Sequence, residues 1–231
     1  MQINLSRNEL KALLTRTFEA LYGHGRDYHD MAHAALWLEC CGHGGVAALL
    51  EALPYLEQDR LLEPSLIKQS DNHFIMDSGG HSLFCTARYI GDLTMALALE
   101  QGAARLDVIN TQNSPALIGV LQSAARQGFA ALALCKGHAA RIEASTEYPV
   151  IFTSEGTDII SFICAQSDTA LEAYTNDLGR VVMDASEQIQ CHSVSLERGI
   201  EMAQSTYDAL NLIANRVLVE ATEASRKGAG E

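Results

Sequence analysis

The sequence predicts a mixed α/β (α+β) protein, with a helical amino-terminal part packed on a mixed sheet with helices, and not a Rossmann fold. Three observations predict it. Residues 1–60 carry apolar side chains at helical spacing, interrupted by glycines. From about residue 66, short β-type runs alternate with helical stretches. No Gly-x-Gly-x-x-Gly, P-loop, Gly-x-Ser-x-Gly or Cys-x-x-Cys motif occurs. The 231 residues are read as one compact unit with a helical part, 1–60, and a mixed part, 61–231.

Each element has a local reason. Ser6 and Glu9 have capping-box spacing, and Leu10, Leu13, Leu14, Phe18 and Leu21 follow at helical spacing. Gly23 and Gly25 end that helix. Asp27 can cap a second one carrying Met31, Ala34, Ala35 and Leu38. After Gly42, Gly44 and Gly45, a third runs through Val46, Leu49, Leu50 and Leu53 to Pro54. Strands are predicted at Phe74–Met76, Leu83–Ala87, Leu106–Ile109, Phe129–Leu134, Val150–Thr153, Ile159–Cys164, Val181–Met183 and Gln190–Val194. Asp77-Ser78-Gly79-Gly80 reads as a hairpin turn between the first two. Leu93–Gln101 reads as helical. Ser114 caps, and Pro115 opens, a helix running to about Gln127, so strand 106–109, this helix and strand 129–134 form a βαβ unit. A last helix begins near Ser195, and Lys227-Gly228-Ala229-Gly230 reads as a loose tail.

The net charge of −13 is spread along the whole chain. No basic face is available for nucleic acid or an anionic membrane, although a small anion needs only one or two local cations. No apolar run reaches the ~18 residues of a membrane span. Met1-Gln2-Ile3-Asn4 leads straight into a helix start without a leader. The six cysteines lie mostly in apolar stretches, as reduced thiols of a cytoplasmic protein do.

Several segments could carry chemistry. Gly42-His43-Gly44-Gly45 places a glycine-flanked histidine before a helix whose free N–H groups would suit an anion. Asn110-Thr111-Gln112-Asn113-Ser114-Pro115 follows a strand and precedes a helix, the place where open α/β sheets bind ligands. His29 and His33, at i and i+4, could give a metal two imidazoles, with Cys40, Cys41 or His43 nearby. A third ligand is unspecified, so the favoured site contains no metal. His73, Asp77 and His81 read as turn chemistry, and Lys136-Gly137-His138 as a cation or proton source after a strand. Cys191-His192, placed in a strand, would point to opposite faces and form no dyad.

Two resemblances follow from these residues. Leu5-Ser6-Arg7-Asn8-Glu9-Leu10, Ala34-Ala35-Leu36-Trp37-Leu38-Glu39 and Ala221–Gly230 resemble a bacterial family of similar length with no assigned function. More distantly, residues 6–135 are similar to the type-2 malate/L-lactate dehydrogenases. The points of likeness are Gly42-His43-Gly44-Gly45-Val46, Val108–Asn113, and Ala124-Ala125-Arg126-Gln127-Gly128 followed by an apolar strand. This second resemblance implies a non-Rossmann scaffold, NAD or NADP as cofactor, a 2-keto or cyclic imino acid substrate, and a homodimer. It carries over His43, Asn110 and Thr111. Ala47 stands where the family places its substrate-binding Arg, and Asn113 where it places its acid/base His. Residues 136–165 lack the family's Gly-Gly and Gly-Thr-Asn-Pro cofactor signatures.

The sequence therefore predicts a diverged scaffold that binds a small polar or carboxylate metabolite. His43 would be the catalytic proton relay, and Gly44, Asn110, Thr111 and Asn113 would line the site. A nicotinamide-dependent keto or imino acid reductase is the implied chemistry. The alternatives are a non-catalytic or regulatory subunit and, third, a metal-dependent hydrolase built on His29 and His33.

Overall fold

The structure is a computed structural model, and it describes residues 1–22, 28–56, 63–154, 159–176 and 178–217. Asp27, the two glycines before it, and the tail from residue 218 onward lie outside the described residues.

A short strand, β1 (Gln2–Leu5), leads into α1 (Arg7–Tyr22). The Ser6–Glu9 capping box forms: Glu9 N donates to Ser6 Oγ at 3.2 Å, and Ser6 N donates to Glu9 Oε2 at 2.7 Å. Helices α2 (Tyr28–Cys40) and α3 (Gly45–Leu56) follow. Then come β2 (Ser65–Lys68), β3 (His73–Asp77), α4 (Leu83–Gln101) and β4 (Ala103–Ile109). A 3₁₀ turn (Ser114–Leu117) runs into α5 (Ile118–Arg126). Four strands come next, β5 (Ala130–Cys135), β6 (His138–Ile142), β7 (Val150–Ser154) and β8 (Ile160–Ala165). The chain continues through α6 (Asp168–Leu171), β9 (Leu178–Met183), α7 (Ala185–Arg198), β10 (Ile200–Ala203) and α8 (Gln204–Ala214).

The main sheet has the order β2-β3-β4-β8-β5-β6-β7-β9. Only β3 and β4 pair in parallel, and every other neighbouring pair is antiparallel. This is a mixed sheet, not a doubly wound parallel one. A second, two-stranded sheet joins β1 to β10. One large buried cluster extends from Leu10 on α1 through Leu106 and Phe162 in the sheet to Ala214 on α8. On the opposite sheet face, Leu132, Ile163 and Leu171 form a smaller cluster beneath α6.

Several local expectations are revised. Leu83–Ala87 is the first turn of α4, not a strand. Ser82 Oγ accepts from Phe84 N at 3.2 Å, and Leu83, Phe84, Ala87, Ile90, Gly91, Thr94, Met95 and Ala98 form one buried helical face. Residues 77–80 are therefore not a hairpin turn. Gly79 and Gly80, both at positive φ, swing the chain from β3 into α4. The directly paired βαβ unit is β3–α4–β4, because β8 lies between β4 and β5. Gln190–Val194 is helical too. Asp184 and Glu187 cap α7 reciprocally, so Ser195 lies near the end of a helix, not at the start of the last one: Ile200–Ala203 is strand β10, and α8 begins at Gln204. Ser114 is not a helix cap: Asn113, in the left-handed region at φ 62°, precedes the turn, and no side chain caps it.

Candidate functional site

The loops at the carboxyl ends of β3 and β4 are stitched together. Gly80 N donates to Asn110 O (2.7 Å), Leu83 N to Gln112 O (2.9 Å) and Ser78 N to Ile109 O (3.0 Å). Asp77 Oδ1 accepts from Gly79 N and from Asn110 Nδ2. Thr111 Oγ1 donates to the His81 carbonyl at 2.8 Å. Asn110 and Thr111 thus hold the β3–α4 turn in place. Asn113 buries its Oδ1 without a hydrogen-bond partner among the described residues. The turn after Asn113 packs against both α2 and α3, the helices on either side of His43 and Gly44.

His43 sits between Gly42 and Gly44, both at positive φ. Its ring lies 5.8 Å from that of Trp37, whose indole nitrogen is also buried without a hydrogen-bond partner among the described residues. His43 Nε2 is 3.0 Å from Gln188 Oε1 on α7. The Gln188 amide nitrogen donates to the carbonyls of Pro149 and Asp184, leaving Oε1 as the acceptor. His43 therefore donates from Nε2, which leaves the lone pair on Nδ1. Burial lowers its pKa, and the Gln188 hydrogen bond opposes that only in part. No hydrogen bond joins His43 to Asn110, Thr111 or Asn113 among the described residues. The start of α3 is already occupied: Glu39 Oε2 accepts from Val46 N at 2.8 Å, so the chain supplies its own anion beside Gly44.

A cavity of about 1080 Å³ opens between α2, α4 and α5. It adjoins the carboxyl ends of the parallel pair, because it is lined by His81 and the first turn of α4. Its charged and polar lining includes His33, Arg88, Gln122 and Arg126, together with the carboxylates of Asp30, Glu63 and Asp92. Arg88 is tied to Asp92 Oδ2 at 2.9 Å and to Ser123. Among the described residues no carboxylate pairs with Arg126. Partial burial, then the nearby Arg7, Arg126 and Lys11, lower the pKa of His33. His43, Gly44, Asn110, Thr111 and Asn113 are not among the lining residues.

The remaining candidates separate. His29 stacks on Tyr28 at 4.5 Å, while His33 faces the cavity. Among the described residues no three His, Cys, Asp or Glu side chains gather as a metal would require. Lys136-Gly137-His138 is an exposed hairpin turn between β5 and β6. His73 belongs to a buried network instead of a turn: Asp107 accepts from Arg105, Ser161 and His73 across three strands. Cys191 packs under Gly42, and His192 Nδ1 meets Tyr148 Oη at 2.7 Å. No disulfide joins any of the six cysteines. Reading α4 and α7 as helices would have exposed two signals. Cys85 and Arg88 fall on one face at i and i+3, and Gln188 and His192 at i and i+4.

A nicotinamide dinucleotide needs donors for its pyrophosphate, usually free N–H groups at a helix start. At the start of α4, beside this cavity, the first three N–H groups are taken. Leu83 N donates to Gln112 O, Phe84 N to Ser82 Oγ and Cys85 N to Ser82 O. The start of α4 therefore offers no backbone cradle for that group.

Comparison with known proteins places the architecture. The model of a family described as protein of unknown function (DUF3726) matches residues 5–80. No curated protein matches the chain. Solved structures do match. A dehydrogenase from Sinorhizobium meliloti is 14% identical with a TM-score of 0.72, over 93% of this chain and 100% of that one. Malate dehydrogenase from Pyrococcus horikoshii OT3 is 10% identical with a TM-score of 0.68, over 95% and 97%. Sulfolactate dehydrogenase from Methanocaldococcus jannaschii is 10% identical with a TM-score of 0.66, over 92% and 97%. The likeness extends well past residue 135 and is one of fold. The chain thus has the mixed α/β fold of malate/lactate dehydrogenase-type structures, and its first third matches a family of unknown function.

Proposed function

We propose that the protein binds a small polar or carboxylate-bearing metabolite in the cavity between α2, α4 and α5. The carrying observation is the lining itself. A cavity of about 1080 Å³ at the carboxyl ends of β3 and β4 is lined by Arg126, which has no carboxylate partner among the described residues, and by the apolar Phe84 and Val120. The names of similarly folded structures refer to small acids such as malate and sulfolactate, which supports the same ligand class. Asn110 and Thr111 act by holding the turn that carries His81. His43, Gly44 and Asn113 lie outside the cavity's lining.

We favour binding over a nicotinamide-dependent keto or imino acid reductase. Ala47 offers no guanidinium, Asn113 is no acid or base, and the N–H groups at the start of α4 are already taken. By analogy of fold, the proposal extends to a homodimer in the reducing cytoplasm, which light scattering checks for oligomeric state.

The test is a thermal-shift titration of the purified chain with glycolate, malate and succinate, with NADH and NADPH run in parallel. A saturable shift with at least one acid, lost in Arg126→Ala, supports the reading. No shift with any acid at millimolar concentration, or an unchanged shift in Arg126→Ala, overturns it. A cofactor shift would restore the reductase.

A further inference from the structure

The cavity holds a nucleophile that the binding reading does not use. Of the six cysteines, only Cys85 lines it. Cys40, Cys41, Cys135 and Cys164 are buried in the core. Burial pushes the Cys41 and Cys135 thiols up to about 12, and that of Cys164 upward as well. Cys191 packs beneath Gly42 instead. Cys85 is half-buried on the first turn of the 19-residue helix α4, where the helix dipole favours a thiolate. Its sulfur lies 2.7 Å from the hydroxyl of Tyr22, the last residue of α1. Arg88 follows one helical turn later on the same cavity wall, and Arg126 reaches the cavity from α5. A thiol and arginines lining one cavity, with a phenolic hydroxyl against the thiol, match a molecule with an electrophilic carbon and an acidic group.

We propose that Cys85 captures a small anionic aldehyde as a reversible thiohemiacetal, with Tyr22 positioning the transferred proton. The sulfur bonds to the aldehyde carbon, and the C=O π pair moves onto oxygen. That oxygen takes a proton from the Tyr22 hydroxyl, which takes the proton released by the thiol. Nothing is oxidised or reduced, and no co-reactant is consumed. The inference rests on the cavity being the binding site, and it adds the chemical class of the ligand.

The experiment uses ¹³C-labelled glyoxylate as the aldehyde probe and glycolate as its carbonyl-free control. Wild-type protein should show a protein-bound thiohemiacetal carbon by ¹³C NMR. Cys85→Ser should lose it while keeping the glycolate thermal shift, and Cys191→Ser should keep both. Peptide mapping after iodoacetamide should show Cys85 alkylated on the order of tenfold faster than Cys191, with glyoxylate protecting it. Tyr22→Phe should slow that alkylation several-fold and leave the glycolate shift unchanged. If the bound carbon signal persists in Cys85→Ser, or if Tyr22→Phe reacts at the wild-type rate, the proposal fails. A glycolate shift with no adduct sinks the covalent step alone. Absence of both the shift and the adduct sinks the binding reading with it.

Discussion

His43 and Gln188, 145 residues apart in sequence, meet through one hydrogen bond of 3.0 Å that fixes which imidazole nitrogen carries the proton. Gln188 is fully buried on α7, and its amide nitrogen is committed to the carbonyls of Pro149 and Asp184. Replacing it with Leu leaves the Pro149 carbonyl and His43 Nε2 without that partner, while the Asp184 carbonyl keeps the backbone N–H of residue 188. We expect Gln188→Leu to cost about 2–3 kcal/mol, read as a lower urea midpoint. The Gln188 hydrogen bond raises the pKa of His43, so His43 should titrate at a still lower pH in the variant. An unchanged His43 titration by NMR would contradict the assigned contact.

Three histidines give stability a pH dependence of known sign. Burial, first among the causes, lowers the pKa of His33, His43 and His192 in the folded state. The unfolded chain then binds more protons between those lowered values and about 6.5. Stability should be complete above pH ~6.5 and fall as the pH drops through that window. Asp107 contributes only further down. Burial alone would raise its pKa, but hydrogen bonds from Arg105, Ser161 and His73 hold it below the ordinary carboxylate value. Urea midpoints at pH 7.5 and 5.5 check the first effect, and His43→Gln should flatten the slope between them.

Gly45 lets α3 cross α2 in close contact. A Cβ there would lie 1.9 Å from the Ala35 carbonyl oxygen and 2.9 Å from Glu39 N, both backbone atoms. Gly45→Ala should destabilise the protein by more than ~3 kcal/mol, since neither helix can yield without disturbing its own ladder. Far-UV circular dichroism and thermal melting measure the loss. Gly102→Ala is the control: its Cβ meets nothing within 4 Å, and only the positive φ of 82° opposes it.

Asp107 ties together three strands of the main sheet. It accepts from Arg105 Nε at 2.6 Å, Ser161 Oγ at 2.5 Å and His73 Nε2 at 2.8 Å. Asp107→Ala leaves a largely buried guanidinium without its anion and should cost about 3 kcal/mol. Because this network lies on the sheet face opposite the large core, the variant should leave carboxylate binding intact once folded. Urea unfolding paired with the glycolate titration separates the two effects.

The sequence made some of these features legible and concealed others. The capping box of Ser6 and Glu9 and the strand at 106–109 are local patterns, and both form. Leu83–Ala87 and Gln190–Val194 read as strands because short apolar runs do not distinguish the two periods. Caps outside each run, Ser82 and Asp184, settle both as helix. His43 was visible from its flanking glycines. Its partner Gln188 was not, because nothing local links residues that meet only after the chain folds.

By itself, the sequence determined the helical amino-terminal part, the mixed rather than parallel sheet, the lack of a dinucleotide glycine signature and the uniform negative charge. These follow from periodicity, capping and composition, which act within a few residues. Tertiary structure alone decided where the chemistry gathers. Placing β8 between β4 and β5, and packing α2 against α5, opened a cavity bounded by Cys85, Arg88 and Arg126. It also assigned Glu39 to the α3 terminus that the sequence left open for a ligand. The reason is physical: an anion site is filled by whichever carboxylate packing brings nearest, and that depends on how the helices cross.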